Sequence, residues 1–369
     1  MASAGQQGKP DVLVVGGGPI GLASAWRAAQ RGLRVVVLDD GEPGAWHVAA
    51  GMLAPIAELK PGEEALLELG VRAAASYPAF CAELADAAGV EPGLRSEGTL
   101  VVARDRDDAE ALDRLAALHR AHGLHAERLL PTAARRAEPA LAPTVRLALA
   151  LPGDHSVDPR RLVAALRAAV AAAGGEVRAP VRVARVRAGA AELEDGTVLE
   201  AGTVVLAAGA AAGELGVALP VRPVKGQVLR LRDPNGPGLI DRTVRTLDAY
   251  LVPRADGRYV LGATMEERGW DRTPTAGGVF ELLRDMSEVV PGVLELELEA
   301  VLAGLRPATP DNLPALGYAD GVLVAAGHHR NGILLAGLTG DLVAGLLAGD
   351  PLPDWAEPAA AGRLAPVPA

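Results

Sequence analysis

Residues 11–40 read DVLVVGGGPIGLASAWRAAQRGLRVVVLDD, and this stretch decides the fold class. DVLVV is a short, unbroken apolar run rich in Val, as expected of a parallel strand buried on both faces. A glycine-rich turn ends it. PIGLASAWRAAQRG then reads as a helix, because Pro19 is preset for the first helical position and Gly32 is a natural stop. LRVVVLDD follows as the next strand and closes a βαβ unit. Gly16, Gly18 and Gly21 stand in the order GxGxxG, between that strand and that helix. The first glycine permits the tight turn, the second lets backbone approach a pyrophosphate, and the third lets helix and strand pack closely. Free N–H groups at the helix start then face the phosphate charge. Asp39 ends the second strand eighteen residues after Gly21, where a carboxylate can hold ribose hydroxyls; Asp40 is its neighbour.

These features together predict a dinucleotide cofactor. FAD and NAD exploit the same physics, so the motif does not choose between them.

Working outward, the chain alternates between two textures. Helical stretches (EALLELGVRAAASYPAFCAELADAAG, DDAEALDRLAALHRAHG) and the short strand GTLVVAR lead to a second α/β block, HSVDPRRLVAALRAAVAAAGGEV. The strands PVRVARVRAG and EAGTVVLAAGA follow it. RPVKGQVLRLR, AYLVPRADGRYVLGA and EAVLAGLRPATPD then show the alternation and turn residues of an antiparallel sheet. DGVLVAAGHHRNGILLAGLTGDLVAGLLAG closes as strand, turn and helix. Dinucleotide-type pieces at the beginning, middle and end imply two domains that the chain visits in turn. The first ten residues and the Pro/Ala-rich segment from Pro351 read as tails with little structure.

At 369 residues and 50% hydrophobic content the chain can bury a large core. Its aromatic content is only 3%, so that core is built from Ala, Leu and Val. A net charge of −10 argues against nucleic acid and against a polybasic membrane surface. Cys81 is the sole cysteine, which rules out an intrachain disulfide and a cysteine zinc cluster. With no signal-like stretch and no clean spanning segment, a soluble cytoplasmic protein is expected.

WHVAAGMLAP (46–55) follows the second strand. Small residues there let backbone N–H groups approach a flat ligand, or else they simply start a tight helix. GHHRNGILLAG (327–337) leaves an apolar strand at the end where open α/β sheets gather ligands. Its next helix would aim its N-terminus at that site, where negative charge is favoured. His328 and His329 should point to opposite sides of an extended segment, which disfavours a shared metal. His119, His122 and His125 look like ligands, but Gly123 interrupts them and an amphipathic helix end explains them better. An arginine fork such as Arg306 matches a carboxylate, and Tyr250 could add a hydroxyl; on residues alone, a surface arginine and a core tyrosine are the more ordinary reading.

In order, VVGGGPIGLA, AAGML, HSVDP, PVKGQ, YLVPR, LGATM, AGLRPATPD and GHHRNGILLAG resemble the glycine oxidases of thiamine biosynthesis. These form a branch of the flavin-dependent D-amino-acid oxidase family, and the resemblance covers nearly the whole chain. It implies non-covalent FAD and an α/β fold. A Rossmann-like FAD domain of the glutathione-reductase type would be interleaved with an α+β, antiparallel-sheet substrate domain. The FAD domain would comprise residues 11–80, 155–220 and 305–350, and the substrate domain 81–154 and 221–304, with tails at 1–10 and 351–369. It further implies oxidation of glycine or other small primary, secondary or D-amino acids by hydride transfer, giving 2-oxo acid, ammonia and hydrogen peroxide. A homotetramer is the implied assembly.

By position, the resemblance makes Arg306 the carboxylate clamp, assisted by Tyr250, with Arg330 at the substrate and Met265 lining the pocket. Pro19 and Ile20 fall in the phosphate turn, and Asp39 and Asp40 at the ribose. Val181 offers a backbone contact on the adenine side. Ala50, Gly51 and Met52, with His328, His329, Arg330, Asn331, Gly332, Ile333 and Leu334, would surround the isoalloxazine. The chain departs from the pattern at Ala45, Trp46 and His47, where relatives offer Ser or Thr hydroxyls to the cofactor. It departs again at Asp248, which replaces a frequent histidine and would alter amine preference or pH optimum. Competing readings are a flavin-dependent amine dehydrogenase, a sarcosine-type oxidase with flavin on a cysteine, and a flavin-binding protein without turnover.

Overall fold

The computed structural model describes residues 8–364. The tail reading for residues 1–7 and 365–369 lies outside the described residues.

Val12–Val15 and Val35–Leu38 are fully buried strands at the centre of a six-stranded sheet. Its order is Ala315–Ala319, Val322–Ala326, Thr203–Leu206, Val12–Val15, Val35–Leu38, Glu176–Arg178. All neighbours are parallel except the first pair, which is antiparallel. Burial on both faces explains the continuous Val/Leu runs. One face carries the helices Pro19–Gln30, Pro159–Ala172 and Ala336–Ala348, with Glu64–Ala88 packed against them. The other face is covered by a small antiparallel meander of Val183–Arg187, Ala190–Leu193 and Val198–Glu200.

The second sheet has eight strands, in the order Glu297–Ala308, Arg222–Arg232, Arg258–Gly262, Tyr250–Pro253, Thr243–Arg245, Thr99–Ala103, Leu147–Leu151, Glu127–Leu129. Only the contact between Thr243–Arg245 and Thr99–Ala103 is parallel. The long strand Glu297–Ala308 belongs to this sheet along its whole length, pairing Arg306 with Val224 and Ala308 with Arg222. The helix Ala276–Ser287 packs on one side of the sheet.

Two expectations fail. The segment after Pro351 is structured: Asp354–Ala359 and Ala361–Leu364 form 3-10 turns. Ala356, Ala359 and Ala361 there are buried, because alanine is small enough to dock against the sheet edge, where Ala360 bridges Leu316. The 328–335 segment is not extended either. His328 is helical and His329 has φ +45°, so alternation across a strand does not apply, and the helix begins only at Ala336.

Candidate active site

The turn after Val15 is shaped by what cannot fit there. A Cβ on Gly16 would lie 2.3 Å from the Ala207 carbonyl oxygen, and one on Gly21 would lie 1.9 Å from the carbonyl oxygen of Gly16. Gly17, which the motif leaves open, is the tightest: a Cβ would fall 1.8 Å from Asp39 Oδ2. Pro19 occupies the first helical turn and no side chain caps Gly18, so the leading N–H groups remain available to an anion. Asp39 is 6% exposed. It accepts a hydrogen bond from Gly41 N at 2.7 Å and an ion pair from Arg167. The Val181 N–H goes to the Asp39 carbonyl at 2.7 Å. The indole of Trp46 lies beside the turn, 3.6 Å from a Cβ built on Gly18.

From this cradle a single cleft of about 1170 Å³ continues to the eight-stranded sheet. It is lined by Gly16, Gly18, Pro19, Ile20, Asp39, Asp40 and Val181, then by Ala45, Trp46, Ala50, Gly51 and Met52. Its far end is lined by Tyr250, Met265, Arg306, His328, His329, Arg330, Gly332 and Ile333. Almost every residue expected at the site is thus brought to one surface. Gly21 is not; it serves helix packing. Asn331 and Leu334 do not line it either, and both are buried.

The Arg306 guanidinium is steered by two carbonyls, donating through Nη1 to Thr264 O at 3.1 Å and Lys225 O at 3.3 Å. It lies over Gly226, where a Cβ would come within 2.4 Å of both terminal nitrogens. The Tyr250 ring crosses the opposing Gly262 in the same way. Burial pushes the Tyr250 phenol up, with Arg306 pulling the other way, so it remains a neutral hydrogen-bonding group.

Arg330 is at the cleft but not free. It donates to Glu58 Oε2 at 3.1 Å and is paired with Glu63, while Arg245 donates to Glu58 Oε1 at 2.9 Å. Glu58 itself sits in a loop held by buried Asp154, which accepts from Ile56 N and Ala57 N. Sequence reading missed Glu58, Glu63 and Arg245; nothing local in APIAELKPGEE or TVRTL distinguishes them. Asp248 reaches the cleft but is paired with Arg104 at 2.7 Å, which offsets the charge expected to act on an amine.

His328 is driven down to about 3 by burial, and His329 to about 3 by burial with Arg330 and Arg306 adding to it; both are neutral at physiological pH. His119 is buried, with Nε2 2.9 Å from Ile56 O. Among the described residues no cluster could hold a metal ion. Cys81 is packed in the helical core with its thiol pushed up to about 12 by burial; it does not line the cleft.

A family model described as DAO, FAD dependent oxidoreductase, matches residues 11–346. The chain belongs to this family of FAD-dependent oxidoreductases. It is 37% identical over 351 residues to a glycine oxidase of Geobacillus kaustophilus, covering 91% of this chain and 92% of that one. It is 37% identical over 350 residues to the bifunctional protein ThiO/ThiG of Synechocystis, covering 91% of this chain and 51% of that longer protein. The crystal structure of glycine oxidase from Geobacillus kaustophilus superimposes with a TM-score of 0.90 at 35% identity, covering 98% of this chain and 100% of that one. The protein is therefore an FAD-dependent amino-acid oxidase. The glycine cradle, the open helix start and Asp39 fit FAD. Among the described residues no helix is long and apolar enough to cross a membrane.

Proposed function

We propose that the chain oxidises glycine and other small amino acids to the 2-oxo acid, ammonia and hydrogen peroxide, with glyoxylate as the product from glycine. The observation that carries this is Arg306 beside Tyr250 at one end of the cleft that begins at the glycine cradle. When bound, FAD supplies the redox chemistry, taking two electrons and the α-hydrogen from substrate and passing the electrons to dioxygen. The protein binds, orients and excludes water. With Nη1 fixed by two carbonyls, the rest of the Arg306 fork can take a carboxylate through charge-assisted hydrogen bonds, and neutral Tyr250 donates a further one. This points the α-carbon toward the wall formed by Ala50–Met52 with His328–Arg330, Gly332 and Ile333.

Of the titratable groups beside Arg306 and Tyr250, His329 is held neutral well below its usual range, and the carboxylates Glu58 and Asp248 are engaged by arginines. The amine thus arrives already neutral, and the rate rises toward alkaline pH. Met265, 58% exposed, borders the entrance and leaves room for small side chains. The similarity to a bifunctional ThiO/ThiG protein supports a role in supplying thiamine thiazole synthesis. A cytoplasmic homotetramer completes the reading.

The test is an anaerobic titration with glycine, following the visible flavin bands. Bleaching that reverses on admitting air is expected. Bands unchanged by glycine would reject the assignment and favour larger or secondary amines. Bleaching without reoxidation by air would indicate a dehydrogenase.

A further inference from the structure

The face of the eight-stranded sheet that carries the substrate end also carries two buried arginines that the reaction above does not use. Alternate residues of a strand share a face. Tyr250, Val252 and Arg254 therefore line up on one side, as do Gly226, Val228 and Arg230 two strands along, across Arg258–Gly262. Tyr250 and Gly226 border the cleft. Val252 and Val228 pack against Ala50. Arg254 and Arg230 come last and reach the loop behind it: Arg254 Nη2 donates to Ala50 O at 2.5 Å, and Arg230 Nη2 to His47 O at 3.0 Å. Arg160 adds a second donor to His47 O at 3.2 Å.

This pair is unusual in its charge. Arg254 is 7% and Arg230 9% exposed, and Arg254 Nε and Nη1 and Arg230 Nε have no hydrogen-bond partner. The nearest carboxylate is Asp158, whose Oδ2 lies 3.8 Å from Arg254 Nε while its Oδ1 accepts from Arg160 N and Arg161 N at a helix start. Burial pushes Arg230 down to about 10, and Arg160 and Arg254 push the same way; it is still charged at neutral pH. Buried, incompletely paired charge is costly unless something nearby uses it.

Geometry supplies the use. In a trans peptide the C=O and the following N–H point in opposite directions. A guanidinium drawing the Ala50 carbonyl back into the sheet therefore aims the Gly51 N–H the other way, into the cleft that Ala50 and Gly51 line. Among the described residues no acceptor takes that N–H. The Gly51 carbonyl is also turned away, accepting from Val157 N at 2.9 Å.

We propose that Arg254 and Arg230 are positioning residues for the flavin: they fix the 47–51 backbone so that Gly51 N–H faces the isoalloxazine, and their charge favours its reduced, anionic state. This rests on the reading that places the isoalloxazine against Ala50–Met52.

The test uses holoenzyme and sulfite, which adds to oxidised flavin to give an anionic adduct and needs no amine. Arg254→Met should weaken sulfite binding at least tenfold and lower the flavin midpoint potential. Arg254→Lys, which keeps the charge, should stay within about threefold of the parent. Unchanged sulfite affinity and potential in folded, yellow Arg254→Met would overturn the proposal, as would equal losses in the Met and Lys variants. If Arg254→Met does not fold, Arg230→Met replaces it with the same two outcomes. A parent that binds sulfite but is not reduced by glycine would lose the proposed function and leave this inference standing.

Discussion

Gly226→Ala is the sharpest probe of the substrate end, because it perturbs Arg306 without removing it. Gly226 lies in regular strand opposite Gly304, so alanine suits the backbone. Its methyl group would stand 2.4 Å from Arg306 Nη1 and Nη2, and ordinary contact begins near 3.4 Å. The guanidinium must therefore retreat by about 1 Å. Hydrogen bonds of 2.7–3.2 Å do not tolerate such a displacement, and one charge-assisted bond is worth about 1.5–3 kcal/mol. We expect the KM for glycine in an oxygen-uptake assay to rise about 10- to 100-fold. Flavin content should match the parent, and Tm should move by no more than a few degrees, because the displaced group is the flexible end of one side chain. A KM within twofold of the parent, in protein that retains FAD, would refute Arg306 as the carboxylate clamp. A KM increase accompanied by loss of flavin would show instead that the sheet had moved.

Glu58→Gln removes the shared charge between Arg245 and Arg330; stopped-flow reduction should show a substrate affinity changed severalfold, and an unaltered trace would mean that Arg330 is set by Glu63 alone. Gly51→Ala places a Cβ 2.0 Å from Val157 O at φ +77°, and should weaken FAD binding at least tenfold in an apoprotein titration; unchanged affinity would deny the loop its place at the ring. Asp154, facing Glu58 and Arg245, is raised to about 7 by burial. Its contribution to stability is full below 3.8 and is lost as pH rises to 7, up to about 4 kcal/mol. His328 changes in the opposite sense, losing its contribution as pH falls below 6.5. The parent should therefore lose more stability than Asp154→Asn between pH 5 and 8 in urea melts, since the His328 effect cancels in that comparison; parallel pH dependences would refute the buried acid.

What could be read from residues was local. The strand–turn–helix at 12–30 is fixed by contiguous Val, Gly and Pro, and the periods of 222–232 and 250–262 announce an antiparallel sheet. Two expectations failed where the backbone left those periods. A positive φ at His329 turned Asn331 and Leu334 inward, and small alanines docked a tail whose composition suggested none. The partners of charge were invisible, since Glu58 and Arg330 are separated by 272 residues and only tertiary structure joins them. Gly226 shows why. A glycine inside a strand reads as a weakness, and Arg306 reads as any surface arginine. Pairing Val224 with Arg306 places the guanidinium over Gly226, a neighbouring position that lacks a side chain. The glycine is then the room the arginine needs, and each explains the other only once their strands are side by side.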